Sequence, residues 1–284
     1  AIFIGGLALG ALFGAWLNAR ARRPMAVLAG LELAIGAGAF ASAALMDEAA
    51  GLSAAFGARI WAFGALTLPS TFCMGAAYAF AARLARGGWP GAAGNEARAG
   101  AQAYALNALC SVAGAFVAGF VLVPSALGPR GAIFCGAALA AAIGAALLSR
   151  CEWPARAARA ASGGAGAAAL ALLAAMALGA GRWKPEVLLR GDWSGSDLPV
   201  GEILFYAEGV DASVAATSQG EGQRVLRING KPDASNGWSD AVSRLWLGHY
   251  AALLAPKEAR SALLIGLGAG MTLSAVASHD KFER

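Results

Sequence analysis

This chain of 284 residues has few charged residues. Asp, Glu, Lys and Arg together make up 14% of the residues, whereas a soluble globular protein carries about 25%. Hydrophobic residues reach 58%. So few charges exclude an ordinary water-soluble domain, and so many apolar residues exclude a disordered chain. The composition therefore predicts a membrane protein.

Cysteine and histidine are also few, with four and two residues. The cysteines form no C-x-x-C pair, and three of them lie inside apolar runs. That pattern excludes a disulfide scaffold and favours small buried side chains over a metal or redox site, so we expect no metal. The four cysteines are Cys73, Cys110, Cys135 and Cys151.

The charges that are present divide unevenly along the chain. Residues 1–183 hold 12 basic and 5 acidic residues, a net charge of +7, and residues 184–284 hold 10 and 12, a net charge of −2. The arginines of the first part lie in loops between apolar runs, and no Lys/Arg stripe alternates with aromatic residues. This pattern is typical of loops that set membrane topology, so we expect no nucleic acid partner.

Six apolar segments approach the roughly 20 residues that a spanning helix needs. Pro24 and Pro129 stand where helices begin, and Pro69 should kink the third segment. Because the chain opens inside an apolar run without a signal peptide, we expect its true start to lie upstream. Residues 1–181 are predicted to form a transmembrane helical domain in a lipid bilayer. The spans are about 1–19, 24–46, 59–84, 98–123, 128–149 and 164–181.

The loop charges predict an orientation. Three loops rich in arginine alternate with residues 47–57, which carry two acids and no base. The positive-inside rule places the arginine-rich loops in the cytoplasm. The last span, 164–181, is rich in Ala and weakly hydrophobic, so the side of the domain that follows it stays open. The arginine-rich loops are 18–24, 83–98 and 150–159.

Polar side chains inside the spans are rare, and two of them are candidates for a role. Glu32 lies about a third of the way into the second span, where a carboxylate is typical of a proton or substrate relay. The alternative is an ion pair near the interface with Arg22 or Arg23. Asn107, in the fourth span, is expected to hydrogen-bond between helices.

The composition of the sequence changes after Gly181. Pro, Asp, Trp and Ser then come together, which predicts a linker over 182–200. Residues 201–237 hold β-prone runs broken by glycine and predict a small subdomain of antiparallel strands, at about 202–207, 210–217 and 223–229. A helix is predicted over 238–255. Its apolar face would comprise Val242, Leu245, Trp246, His249 and Leu253.

A glycine-rich loop follows that helix. A buried strand is predicted over 262–265, and it leads through Gly266, Gly268 and Gly270 straight into another helix. Glycines let the chain turn tightly and let a ligand approach the backbone at a helix N-terminus. The G-x-G-x-G spacing fits a loop that cradles the amino-acid end of S-adenosylmethionine better than it fits a dinucleotide loop. Residues 238–284 are therefore predicted to begin a Rossmann-like α/β fold.

Seven strings spread over nearly the whole chain carry a resemblance to a known family. The chain resembles bacterial membrane proteins in which a multi-helix, major-facilitator-like region is fused to a spermidine-synthase-like domain. The resemblance implies a multi-pass α-helical membrane domain in the bacterial inner membrane, a small β-sheet subdomain and the start of an S-adenosylmethionine-type fold. The strings are GLALGALFGAWL, LPSTFCMGA, YALNALCSVAGAFVAGFVLVPSALGPRG, YAEGVDASVAA, LRINGKPDAS, LGHYAALLAP and LLIGLGAGMT.

The resemblance also implies an activity, aminopropyl transfer in polyamine biosynthesis. The three loop glycines match the family's loop for the co-substrate, decarboxylated S-adenosylmethionine or S-adenosylmethionine itself. Other residues match positions around the family's pocket for a small-molecule amine substrate. They are Asn229, Lys231 and Asp233 in a turn, and Asp240 and His249 in a helix.

The chain departs from the family at two points. Ser243 and Leu245 stand where the family has a Tyr and a second acid that grip a polyamine, which puts putrescine as acceptor in doubt. The resemblance also places the catalytic region downstream of Arg284, so we expect the chain to be a fragment with a truncated fold. Two alternatives stay open, a methyltransferase that uses S-adenosylmethionine and a transporter or exporter with a non-catalytic synthase-like domain. A homo-oligomer also stays open.

Overall fold

The computed structural model describes residues 2–51, 56–88, 96–125, 127–151, 163–164, 166, 183–189 and 200–283. The chain divides into two compact units, Ala1–Trp183 and Lys184–Arg284. The first is helical, and the second combines helices with a four-stranded antiparallel sheet. The last predicted span, 164–181, and the predicted linker fall almost entirely outside the described residues.

Long apolar helices make up the described part of the first unit. Five of them are long and apolar enough to cross a membrane, in agreement with the first five predicted spans. Beyond the prediction, the fourth helix passes into a π-helical segment, Val117–Leu122. The helices are α1 (Ile2–Arg20), α2 (Pro24–Gly51), α3 (Phe56–Gly88), α4 (Glu96–Phe116) and α5 (Gly128–Ser149).

Glycines set the contact between α1 and α3. Gly6, Gly10 and Gly14 are the buried residues of α1 and recur every fourth position, so they form one stripe. A methyl group added at Gly10 would overlap the backbone carbonyl of Phe72 on α3. Small residues at this spacing let helix backbones approach closely.

Helix α2 packs against both α3 and α5. Leu28 and Phe80 share a buried cluster between α2 and α3, and the Ser42 hydroxyl donates to the Leu66 carbonyl over 2.6 Å. Toward α5, a methyl group at Gly36 would lie 2.8 Å from the Ala137 carbonyl oxygen. These contacts place α2 between α3 and α5, so one face of α2 packs inside the helical unit.

The sheet of the second unit is an antiparallel meander in the order β1-β2-β3-β4. Strands β1 to β3 lie close to the three predicted strands. The prediction missed β4, although Asn229 and Gly230, both with positive φ of 51° and 80°, form the two-residue turn that Asn-Gly favours. The strands are β1 (Glu202–Glu208), β2 (Ser213–Ser218), β3 (Arg224–Ile228) and β4 (Lys231–Ser235).

A buried arginine fastens a short helix, α6 (Pro185–Leu188), to the sheet. Arg227 on β3 is 2% exposed and donates to the carbonyls of Leu189 and Gly230 over 3.4 and 3.3 Å. Its Nε also donates to the Thr217 hydroxyl on β2. Burial lowers the pKa of the Arg227 guanidinium below its usual value, but a guanidinium titrates so high that it stays charged at neutral pH.

Two helices complete the second unit, α7 (Trp238–Leu254) and α8 (Met271–Ala277). The predicted apolar face of α7 is wrong in part, because Val242 and His249 are half-buried but Leu245 is exposed. Trp246 and Leu253 are 51% and 66% exposed, whereas the small residues Gly248 and Ala252 are buried. Helix α7 packs closely on α8 there, since a methyl group at Gly248 would lie 2.6 Å from the Thr272 carbonyl oxygen.

The strand predicted over 262–265 is also wrong for the part of the chain that the structure describes. That segment is extended but belongs to no sheet, and Leu263 and Ile265 are 88% and 90% exposed. A strand exists only when a neighbouring strand accepts and donates its ladder hydrogen bonds. Here one bond lies beside the segment, from the Glu283 N–H to the Arg260 carbonyl over 2.8 Å.

Candidate functional site

The glycine loop joins the extended segment to α8. Gly266, Gly268 and Gly270 have φ angles of 91°, 52° and 76°, a region of backbone space that glycine alone enters freely. No heavy atom would lie within 4 Å of a methyl group added at any of the three. The loop is therefore left-handed at three points, as glycine permits, and it presents an open backbone face.

A largely apolar groove of about 800 Å³ lies between α7, residues 261–267 and α8, and of the three loop glycines Gly266 lines it. The loop contributes Gly266 and Leu267, and the first turn of α8 contributes Thr272. Leu247 and Ala251 of α7 lie on the other wall. A groove of this size with an apolar lining and one accessible backbone edge is suited to a small organic ligand.

The two histidines of the chain meet between α7 and the end of α8. His249 Nδ1 lies 3.0 Å from His279 Nε2, and the rings are inclined at 66°. Both side chains are half-buried. Since one ring nitrogen must donate and the other accept, this hydrogen bond requires at least one neutral imidazole. His249, predicted to bind substrate, is thus part of the contact between the two helices.

Arg244 links the sheet to the start of α8. One guanidinium nitrogen donates to the backbone carbonyl of Asp233 on β4 over 2.5 Å. The backbone carbonyl of Arg244 accepts from the Thr272 hydroxyl over 3.2 Å. Thr272 comes two residues after the glycine loop, so this chain of contacts connects a predicted substrate residue to the predicted co-substrate loop.

The acidic candidates of this unit differ in their surroundings. Asp240 lies in the first turn of α7, where its carboxylate accepts from the Ser235 hydroxyl over 2.7 Å. An acid at this position also stabilises the helix N-terminus. Asp233 is exposed on β4, and its backbone carbonyl is the group that Arg244 contacts. Asp233 is therefore the carboxylate of the two that solvent and a solute reach more freely.

Asn229 and Lys231 flank the turn between β3 and β4. The Asn229 side-chain oxygen accepts from the Ser213 N–H over 2.9 Å, and its own N–H donates to the Ser213 carbonyl over 2.9 Å. Asn229 therefore holds the turn against β2. Lys231 is exposed at the start of β4. Both residues are exposed, so both can be reached by a solute.

The membrane candidates lie in the first unit. Glu32 is half-buried on α2, and no described residue forms a hydrogen bond or an ion pair with its carboxylate. The pair predicted with Arg22 or Arg23 is therefore absent from the described residues. Asn107 is exposed on α4, and no described residue hydrogen-bonds to its side chain. Its role between helices stays a prediction.

Sequence reasoning missed three residues that assemble this region, namely Arg244, Thr272 and His279. His279 lies two residues after the end of α8 and is one of only two histidines in the sequence, which is a usable signal. Gly248, in the interior of α7, is a second usable signal, because an isolated helix glycine indicates a close approach. Among the described residues, no group of three or more His, Cys, Asp or Glu could hold a metal ion.

Comparisons with protein-family models, with curated proteins and with solved structures find no match to this chain.

Proposed function

We propose that this chain is an integral-membrane protein whose second unit binds a sulfonium nucleoside and transfers its aminopropyl group to an amine. The ligand would be decarboxylated S-adenosylmethionine, bound in the groove that Gly266 lines and reaching the backbone of Gly268 and Gly270. The observation that carries the proposal is the loop itself, with three left-handed glycines, an open backbone face and a groove of about 800 Å³ next to it. The composition and spacing of the loop fit the amino-acid end of S-adenosylmethionine, and in the decarboxylated nucleoside the aminopropyl group takes the place of that end.

The chain around the loop supports a Rossmann-like beginning. An extended segment, a glycine turn and a helix follow one another, and the chain then returns so that the Glu283 N–H donates to the Arg260 carbonyl. Arg260 immediately precedes the extended segment. In a parallel β-α-β unit the second strand starts beside the start of the first, so this bond lies where the first ladder contact between them is expected.

The proposed reaction is a nucleophilic substitution. A neutral amine attacks the aminopropyl carbon next to the sulfonium, the new C–N bond forms as the C–S bond breaks, and the sulfur leaves as a neutral thioether. The amine loses one proton, which a nearby carboxylate or water accepts. Such an enzyme accelerates the reaction mainly by aligning the amine and the sulfonium carbon and by keeping the amine deprotonated.

Asp233 and Lys231 are the described residues of the predicted pocket that best suit a role in recognition. Both are exposed on β4, and Arg244 holds the Asp233 backbone toward α8. The carboxylate of Asp233 can attract an ammonium group of the acceptor. An acceptor with one amine near Asp233 is favoured over a long polyamine, because Ser243 and Leu245 provide no second acid.

Because Ser243 and Leu245 replace groups that bind a polyamine, a second candidate is favoured, a methyltransferase that uses S-adenosylmethionine. The two reactions share the loop and the sulfonium, and they differ in which carbon is attacked. Aminopropyl transfer from the decarboxylated nucleoside leaves methylthioadenosine, whereas methyl transfer leaves S-adenosylhomocysteine. The nucleoside product therefore separates the candidates without knowledge of the acceptor.

The test is product analysis with the full-length protein in detergent, given both sulfonium nucleosides and a panel of mono- and diamines. We expect methylthioadenosine and an acceptor heavier by one aminopropyl group. Formation of S-adenosylhomocysteine instead would establish the methyltransferase, and the absence of both products would refute a transferase.

A pair of glycine variants provides the control. Gly268→Val places a β-branched residue at a φ of 52° in the loop and should abolish product formation. Gly220→Val imposes the same kind of strain at a φ of 85° in the turn between β2 and β3, away from the groove. It should reduce stability but keep the reaction.

A further inference from the structure

Glu32 lies in the first third of α2. It is the ninth residue of a helix that begins at Pro24, so at 1.5 Å per residue it lies about 12 Å along the axis. The basic residues Arg22 and Arg23 come just before that helix, and the hydrocarbon core of a bilayer is about 30 Å thick. If α1 to α5 span the membrane as proposed, the Glu32 carboxyl lies inside it.

The side chain belongs to the interior face of α2. Residues 28, 29, 32 and 36 follow one another on one side of a helix with 3.6 residues per turn. Leu28, Ala29 and Gly36 are all buried, the first against α3 and the last two against α5. Glu32 therefore points between α3 and α5, and it is itself half-buried. A charged residue placed only for solubility would lie on the opposite side.

The groups around Glu32 offer it no counter-charge within the described residues. On α5, residues 137–149 contain no titratable side chain. On α3, Cys73 lies one helical turn before Ala77, on the side of α3 that also carries Phe80 and packs against α2. Tyr78 lies on the other side of α3 and is 42% exposed. No described residue hydrogen-bonds to or forms an ion pair with the carboxylate, and the one acid of α2 that does pair is Asp47, with Arg130 at 3.6 Å.

We propose that Glu32 is a proton-binding site of the helical unit, a function separate from the chemistry of the glycine loop. A carboxylate at this depth is unfavourable without a counter-charge, and binding one proton converts it to a neutral carboxylic acid. Loss of the proton to the aqueous side restores the anion, so the site can load and release a proton. This inference depends on the proposed membrane placement of α1 to α5.

Labelling with dicyclohexylcarbodiimide, an apolar reagent that adds to protonated carboxyl groups in membranes, tests the proposal. The full-length protein is labelled in native membranes at several pH values, and the modified peptides are identified by mass spectrometry. We expect one added carbodiimide on the peptide containing Glu32, with an extent that falls as the pH rises. Glu32→Gln should lose the label. Glu48→Gln, which changes an exposed acid near the end of the same helix, should keep it.

The outcomes separate this inference from the proposed membrane placement. Extraction of the protein from membranes by alkaline carbonate would overturn the placement, and with it the proton site. A protein that stays in the membrane but carries no label on Glu32, or a label independent of pH, would overturn the proton site alone. Because the site is mapped on the wild-type chain, the result stands even where Glu32→Gln fails to fold.

Discussion

At the residue scale, Arg227 is the clearest case of a side chain whose neighbours define its role. It is buried, and its guanidinium donates hydrogen bonds to two backbone carbonyls and a hydroxyl. Arg227→Met keeps most of the stem but removes every donor, so the carbonyls of Leu189 and Gly230 lose a partner. We expect a loss of about 1–3 kcal/mol in the free energy of unfolding.

The measurement is chemical denaturation of the protein in detergent, followed at the second unit. Arg224→Met provides the control on the same strand, because Arg224 is exposed, and it should change the free energy by less than about 0.5 kcal/mol. Although burial lowers the pKa of Arg227, the group stays protonated in both the folded and the unfolded chain near neutrality. The loss should therefore be the same from about pH 5 to pH 8. Equal effects of the two variants would contradict the assigned role.

The histidine pair makes a second prediction at this scale. His249→Ala and His279→Ala should each destabilise the contact between α7 and α8, and the double variant should cost less than the sum. A hydrogen bond at 3.0 Å predicts a coupling energy of about 1 kcal/mol. Thermal unfolding of the four proteins measures it, and strictly additive losses would show that the two rings act independently.

At the scale of elements, glycine spacing controls how closely the helices pack. Gly10→Ala would push a methyl group into the backbone of α3 at Phe72, so we expect a destabilisation of about 1–3 kcal/mol. Gly5→Ala, on the same helix, meets no atom within 4 Å and should be neutral or slightly stabilising. The difference in thermal midpoint in detergent checks this, and equal midpoints would refute the glycine contact between α1 and α3.

The elements also show how far sequence reasoning reaches. The lengths of the apolar runs predict α1 to α5 well, because a helix that spans a bilayer needs a fixed number of apolar residues. The prediction missed the strand β4 because Lys231, Pro232 and Asp233 have little β-propensity. The Asn-Gly turn nevertheless pairs these residues with β3. Propensity alone could not place the 262–265 segment either, since a strand depends on a partner strand.

The candidate site was predictable only in part, for a related physical reason. The glycine loop is local, so its spacing alone predicts the tight turn at Gly266, Gly268 and Gly270 that the structure has, and their role in binding stays a prediction. The contacts of Arg244 with Asp233 and of His249 with His279 join residues that are 11 and 30 positions apart. They arise from the packing of α7, whose buried side consists of small residues and not of the large apolar ones that periodicity favoured.

At the scale of the whole molecule, the loop charges predict a topology. Alkaline phosphatase fused within residues 83–98 should be inactive, and the same reporter fused within residues 47–57 should be active, because the enzyme folds only outside the cytoplasm. A fusion after Gly181 then locates the second unit. Activity of the first fusion would contradict the orientation, and activity after Gly181 would place the second unit on the side away from the cytosolic supply of the proposed co-substrate.

The most direct test of the central claim is titration calorimetry of the full-length protein with two ligands, decarboxylated S-adenosylmethionine and S-adenosylmethionine. Binding requires neither the right acceptor nor turnover, so it examines the glycine loop and its groove alone. We predict saturable binding at one site, with the decarboxylated nucleoside bound more tightly. Binding of neither ligand would contradict the claim that the loop of Gly266, Gly268 and Gly270 holds a sulfonium nucleoside.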